Sequence, residues 1–358
     1  HMNNIIREDL EIIAKAIEKE AAALEGKTIL ISGGAGFLGC YLIGTLWTLN
    51  KTVFKKPCKV ISIDNYITGS KGSFLHEILG ENIKNIESDI NKPSTINAPV
   101  DFIIHATGLA SPLYYKKFPL ETIDAAIGGA KNLLELAREK KPESFLFFSS
   151  SEIYGDPHPD SIPTPEKYKG NVSCIGPRAC YDESKRLTET ICTTYHNIYD
   201  VPIKIVRPFN VFGPGMKVND DRVIPTVVAR GLSGKPLPVH DTGNQPRTFS
   251  YISDGIIGFF KVLLSGKSGE AYNIGCEKPE INMVTLANMV VELLPNKASV
   301  QLIDYPESYP SDEPRRRCPD LTKARTELGY NPTIDFKIGL ARTIKWFSET
   351  FSGETKEV

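Results

Sequence analysis

The run Ile29-Leu30-Ile31-Ser32-Gly33-Gly34-Ala35-Gly36-Phe37-Leu38-Gly39 constrains this chain more than any other stretch. A short apolar segment that ends in glycines three residues apart and passes straight into helical periodicity reads as a buried strand, a tight turn and a helix start. Comparable apolar runs recur at Thr28–Ser32, Lys59–Ile63, Ile83–Glu87, Phe102–Ala106, Ser144–Ser149 and Ile203–Arg207. Helical stretches separate most of them, including Leu38–Leu49, Ile123–Lys140 and Tyr181–Tyr199. Strands that are apolar throughout, alternating with helices, predict an α/β fold with a doubly wound, Rossmann-like parallel sheet covered on both faces.

The rhythm breaks after Asn210, where proline and glycine become frequent and the elements shorten. The organisation this predicts is a helical extension over residues 1–25 and a sheet domain over 26–210, rejoined by 248–275 and 336–351. A smaller, discontinuous α/β lobe for substrate is built from 211–247 and 276–335. Within the extension, Ile6, Leu10, Ile13, Ile17 and Ala21 share one face, so it is expected to pack on the domain or on a second subunit. Gly353–Val358 has the composition of a disordered tail.

Charge and cysteine usage exclude several classes. With 42 Lys+Arg against 43 Asp+Glu, nothing favours a nucleic-acid or membrane-surface partner. No apolar run approaches the ~20 residues of a bilayer span, and charges from Arg7 to Glu20 leave no secretion signal there. Seven cysteines without a CxxC pair read as reduced thiols in a cytoplasmic protein that binds no metal, most of them small buried apolar side chains.

The glycine turn gains meaning from its neighbours in the sheet. Gly33 and Gly36 allow backbone N–H groups to approach a pyrophosphate, Phe37 and Leu38 open the helix whose N-terminus faces it, and Gly39 lets that helix lie against the sheet. The spacing is GxxGxxG, which by itself is a weak signal. Asp64, at the end of the second strand and succeeded by Asn65, can accept both hydroxyl protons of a ribose. Its charge would repel a 2′-phosphate, so NAD is favoured over NADP. Asp89-Ile90, after the third strand, suits an adenine amino group, and Asp89 is equally suited to capping a helix.

The fifth strand delivers Ser150, Ser151 and Glu152 at its C-terminal end, where open α/β sheets place ligands. Downstream, Tyr181 and Lys185 stand at i and i+4 on one helix face. An ammonium group near a phenol, together with a nicotinamide's positive charge, favours phenolate and lowers a pKa that starts near ~10. Such a phenol can take a proton from a sugar alcohol, with Ser150 holding the oxygen and Lys185 also donating to the nicotinamide ribose.

From about Lys27 to Phe347 the chain resembles the extended short-chain dehydrogenase/reductases of the nucleotide-sugar epimerase/dehydratase group. Within that group it is most similar to the UDP-glucuronate decarboxylases, through Glu152-Ile153-Tyr154-Gly155-Asp156-Pro157 and Gly176-Pro177-Arg178-Ala179-Cys180-Tyr181-Asp182-Glu183. Further matches are Arg207-Pro208-Phe209-Asn210, Asn219-Asp220-Asp221-Arg222, Arg247-Thr248-Phe249 and Arg317-Cys318-Pro319-Asp320.

The resemblance implies oxidation at C4 by NAD, loss of the C5 carboxylate from the β-keto acid, and return of hydride to C4. It implies roles for Glu152 and Arg247 in protonation at C5, and for Arg178 or Arg247 in orienting the carboxylate; a structural salt bridge is an equal alternative for Arg178. Tyr115, Asn210, Arg222, Arg317 and His240 match substrate-contacting positions, and a homodimer through a four-helix bundle is expected. Ser151 stands where the dehydratases of this group carry an acid, which argues against 4,6-dehydration. A 4-epimerase or other 4-oxidising enzyme stays open. Departures from the decarboxylase pattern are Gly215 for an Arg, His240 for a Tyr, and Thr107-Gly108-Leu109 after the fourth strand.

Overall fold

The computed structural model describes residues 2–92, 95–108, 110, 112–305 and 313–351. Leu109 and the tail Gly353–Val358 lie outside them. Thirteen strands occur among the described residues: β1 Thr28–Ser32, β2 Lys59–Asp64, β3 Ile83–Glu87, β4 Phe102–His105, β5 Ser144–Phe148, β6 Ile203–Pro208, β7 Val211–Phe212, β8 Leu237–His240, β9 Pro246–Arg247, β10 Ser250–Tyr251, β11 Ala271–Ile274, β12 Ile281–Asn282 and β13 Val300–Ile303. The helices are α1 Asn4–Ala21, α2 Phe37–Thr52, α3 Leu75–Ile78, α4 Pro112–Lys117, α5 Pro119–Lys140, α6 Ala179–Tyr199, α7 Val223–Leu232, α8 Ile252–Ser265, α9 Met283–Leu293, α10 Thr322–Leu328 and α11 Phe336–Thr350.

Seven strands form one parallel sheet in the order β3-β2-β1-β4-β5-β6-β11. The expected doubly wound, Rossmann-like α/β fold is the one observed. The strand order reverses between β1 and β4, which pair in parallel with Leu30 opposite Ile103, and a crevice opens at their C-terminal ends as this topology requires.

The apolar strands feed two cores by simple alternation. Ile29 and Ile31 of β1, with Leu146 and Phe148 of β5, enter one cluster; Leu30, Phe145 and Phe147 enter the other. The first is covered by α1, α2 and α8, the second by α5 and α6. The central strands therefore turn apolar side chains to both faces, which is why the sequence shows runs and not alternation; the edge strand β3, with Lys84 and Glu87 exposed, departs from this. β11 had no such run: Asn273 interrupts it. That side chain is fully buried and satisfied, its amide donating to the Thr164 carbonyl at 2.8 Å and its oxygen accepting from the Tyr154 hydroxyl at 2.7 Å.

The N-terminal helix packs on the chain's own domain, across α2 and α8. Asn3 caps it by accepting from the Ile5 N–H at 2.9 Å. Its Ile6, Leu10, Ile13 and Ile17 are buried, as is Asp9, which accepts from the Tyr251 hydroxyl at 2.7 Å and from Arg342 of α11 at 2.8 Å. Leu10 seats against Gly44 of α2, where a methyl group would come within 3.0 Å of both its δ-carbons.

In the smaller region, β8 pairs with β13 in parallel and β9 with β12 antiparallel, with α7 and α9 packed against them. Leu10→Ala should cost about 2–4 kcal/mol through the cavity left between α1 and α2. Thermal unfolding of the variant should show a lowered midpoint and an unchanged number of transitions.

Candidate functional site

A cleft of about 1400 Å³ lies at the crevice. Its wall includes Gly33, Gly36, Phe37, Leu38, Gly39, Asp64, Asn65, Asp89, Ile90 and Arg222. Nine of these were expected at a cofactor and one, Arg222, at a substrate. Asn3 and Ile6 of α1 and Trp346 and Thr350 of α11 also reach the wall; nothing local in the sequence connects either helix with the cleft.

The turn is built by close approach. Gly33 has φ +76°, and a Cβ there would lie 2.9 Å from the Ala106 carbonyl at the end of β4. At Gly39 a Cβ would be 2.1 Å from the Gly33 carbonyl oxygen, so α2 starts on top of the turn. Gly34, to which the sequence pattern gives no role, is as constrained, since a Cβ would fall 1.9 Å from the Ser62 hydroxyl. Gly36 is less so: its φ of −77° is ordinary and a Cβ would meet only the Gly33 oxygen, at 3.3 Å. Its contribution is to keep the helix N-terminus uncovered.

Asp64 ends β2 and holds this geometry. One carboxylate oxygen accepts from the Ala35 N–H at 2.9 Å and the other from the Tyr66 N–H at 2.7 Å. A carboxylate has about four acceptor sites, so capacity for a ribose diol is left on each oxygen. Asp89 caps no helix; it closes a local turn by accepting from the Asn91 N–H at 2.9 Å.

Behind Thr107, Gly108 and Tyr114 of the cleft wall stands the second group. Lys185 Nζ would be 3.1 Å from a Cβ on Gly108 and donates to the Phe148 carbonyl at 2.8 Å. Tyr181 stacks on Tyr115, with ring centres 5.4 Å apart. Ser150 ends the loop after β5, accepts from the Glu152 N–H at 3.2 Å, and hydrogen-bonds the Tyr181 hydroxyl.

Burial opposes the phenolate form expected of Tyr181. Burial raises the Tyr181 phenol far above its ordinary value, and the Ser150 hydrogen bond is the largest opposing influence. Nζ of Lys185 is 5.9 Å from the Tyr181 ring centre and donates to the backbone of β5. Burial lowers the lysine itself to about 8. His105 of β4, fully buried and bonded to the Ser32 hydroxyl at 2.7 Å, is lowered to about 3 by burial and by Lys185, and is neutral.

A third group is ionic. Glu152 makes a forked pair with Arg317, at 2.6 and 3.0 Å, and pairs with Arg178. Burial would raise its carboxyl, but Arg317, Arg178 and Arg247 together hold it below the ordinary range. Arg178 also pairs with Glu313 and, at 3.5 Å, with Asp182. The salt-bridge alternative for Arg178 is therefore the arrangement present, and it does not stand as an open fork. Arg317, expected at the substrate, is likewise engaged with Glu152. Arg247 bridges to Arg317 through the backbone and donates to the carbonyls of Pro246, Pro314 and Arg315.

Of the seven expected substrate residues only Arg222 is on the cleft wall; Tyr115, Arg178, Asn210, Arg247, Arg317 and His240 are not. Asn210, at φ +43°, donates to the Thr248 carbonyl at 3.0 Å. His240 lies on β8 with its ring 5.2 Å from that of Tyr305. Glu313 was missed altogether; its one sequence signal was its place four residues before Arg317.

A dinucleotide crevice with a buried Tyr-x-x-x-Lys pair and a serine at the next strand end defines a nucleotide-dependent oxidoreductase-type site. The profile of the NAD dependent epimerase/dehydratase family matches residues 29–275. UDP-glucuronic acid decarboxylase 5 of Arabidopsis thaliana is 40% identical over 314 residues, covering 87% of this chain and 86% of that protein. UDP-glucuronic acid decarboxylase 1 of Xenopus tropicalis is 37% identical over 323 residues, covering 90% and 72%. Among solved structures, an epimerase from Methanothermobacter thermautotrophicus superposes with a TM-score of 0.81 at 28% identity, covering 94% of this chain and 96% of its own. The chain belongs to the NAD-dependent epimerase/dehydratase family, and its cofactor is NAD. The Gly33–Gly39 cradle and Asp64 fit that cofactor.

Gly39→Ala has no room at 2.1 Å and should abolish NAD retention, read as loss of the NAD-induced rise in melting temperature. Lys185 is cationic below about 8 and neutral above it. If it donates to the nicotinamide ribose, NAD affinity should fall as pH rises through that value, and in Lys185→Met the dependence should vanish; titration calorimetry across pH 6.5–9.5 is the check (a span of about 1.5 units each side).

Proposed function

We propose that this protein converts UDP-glucuronate to UDP-xylose and carbon dioxide, with NAD recycled. The observation that carries the reading is the likeness over most of the chain to UDP-glucuronic acid decarboxylases, together with Glu152 held as a carboxylate where Ser151 replaces the dehydratase acid. Residues 26–210, 248–275 and 336–351 are assigned to NAD, and 211–247 with 276–335 to the nucleotide sugar, of which 306–312 lie outside the described residues.

NAD, held at the Gly33–Gly39 turn and Asp64, would supply the hydride acceptor for C4 of the sugar and the hydride that is later returned. As the phenolate that a bound nicotinamide's positive charge would favour, Tyr181 would take the proton of the C4 hydroxyl, and Ser150 would hold the same oxygen. The product is a 4-keto sugar with a carboxylate on the carbon next to the ketone, and such a β-keto acid loses carbon dioxide to give an enolate. A hydrogen bond from Ser150 or Tyr181 to that oxyanion contributes ~3 kcal/mol in a dry site, and Tyr181 is buried with Ser150 bonded to it. Glu152, itself proton-poor, governs delivery of a proton to C5 through Arg247 or an ordered water. Tyr115 sets the plane of Tyr181 by stacking on it. Arg222 suits the diphosphate, being on the cleft wall, Asn210 and His240 are assigned to the nucleotide half, and Arg317 holds Glu152.

A cytoplasmic location is supported by seven free thiols, and a homodimer by the exposed Leu120, Leu187 and Ile198 on α5 and α6. No helix among the described residues is long and apolar enough to cross a membrane.

NAD-loaded protein incubated with UDP-glucuronate should release carbon dioxide and form UDP-xylose; UDP-glucuronate recovered intact, or converted to a C4 epimer with its carboxylate retained, rejects the reading. Tyr181→Phe should lower kcat by roughly 10²–10⁴-fold while its melting temperature stays near that of the parent.

A further inference from the structure

Arg178 meets three carboxylates at once: Glu152, Asp182 and Glu313. Arg317 meets two, Glu152 at 2.6 Å and Glu313 at 3.9 Å. Arg247 adds a third guanidinium whose charge reaches Glu152. A sugar carboxylate that is to pair with Arg178 finds it already met by three carboxylates, and burying it unpaired is costly. One resident carboxylate has to leave.

The three differ in how firmly they are held. Asp182 is anchored on α6 with its side chain 6% exposed. Glu152 sits on the turn after β5, 15% exposed, and is gripped by both Arg317 and Arg178. Glu313 lies outside regular structure, is the most exposed of the three at 24%, and is only loosely approached by Arg317. Its displacement frees one face of Arg178 without disturbing the Arg317–Glu152 fork.

We propose that Glu313 holds, between Arg178 and Arg317, the place that the sugar carboxylate of the substrate takes on binding, and is thereby a specificity-determining residue. This rests on the decarboxylase reading of the site. The exchange of one carboxylate for another on Arg178 is nearly balanced for an acidic sugar, whereas a neutral sugar that pushes Glu313 aside leaves a buried guanidinium under-paired. Selection against neutral sugars arises from that asymmetry.

The test compares wild type and Glu313→Gln as NAD-loaded full chains. KM for UDP-glucuronate should fall by roughly five- to tenfold in the variant, since a neutral amide yields Arg178 more readily. The inhibition constant of UDP, which has no sugar to displace Glu313, should move by less than about twofold. An unchanged or raised KM, or equal shifts for UDP-glucuronate and UDP, overturns the inference. Should Glu313→Gln not fold, as judged by its melting curve, Glu313→Ser is measured in its place against the same outcomes. Wild type that leaves UDP-glucuronate intact overturns the functional reading and this inference together; normal wild-type turnover with no fall in KM overturns this inference alone.

Discussion

The carboxylate of Asp64 accepts the Ala35 N–H across the gap between β2 and the turn after β1, and the cleft depends on that bond. It pins the turn at the point where Gly33 backs onto the Ala106 carbonyl and α2 sets off from Gly39. An acid at this position thus fixes the glycine turn and keeps lone pairs that suit a ribose diol. The two tasks call for the same ionised group, so a neutral or cationic replacement would disturb both the cradle and the cofactor preference.

Around that cradle the site is arranged to be dry. Tyr181, Lys185, Ser151 and His105 are all nearly or fully buried, and burial moves each titrating group towards its neutral form: the phenol up, the lysine to about 8, the imidazole to about 3. The protein alone does not ionise Tyr181. It supplies low polarity and a fixed Ser150 hydrogen bond, in which any added positive charge acts with little screening. The ionic cluster a few residues away takes the opposite course. Glu152 stays charged because three arginines surround it, and that keeps a permanent carboxylate beside the buried centre.

The N- and C-terminal helices add a second layer. The contact of Arg342 with Asp9 and the hydrogen bond of Asn3 to Glu349 at 2.8 Å join α1 to α11, and both helices contribute to the cleft wall. Packing of the extension and the shape of the cofactor site are therefore linked through one hydrophobic cluster.

The fold was legible because a parallel sheet buried on both sides must be written as unbroken apolar strands, and β1 to β6 were each located to within a residue or two. β11 escaped because its one polar side chain is satisfied by partners from Tyr154 and Thr164, more than 100 residues away in sequence. Within the site, the glycine turn, Asp64, Ser150, Tyr181 and Lys185 could be read from sequence because each chemistry depends on local spacing at a strand end or along one helix. The state of those groups could not. Whether Tyr181 is ionised, whether Arg178 is open or paired, and that Glu313 joins the cluster are set by charges and burial from segments that only the folded chain brings together. The sequence determined the scaffold and the candidates for the reacting groups; the tertiary structure decided their protonation and pairing, because electrostatic energies depend on distance and solvent exclusion, and neither is encoded in local order.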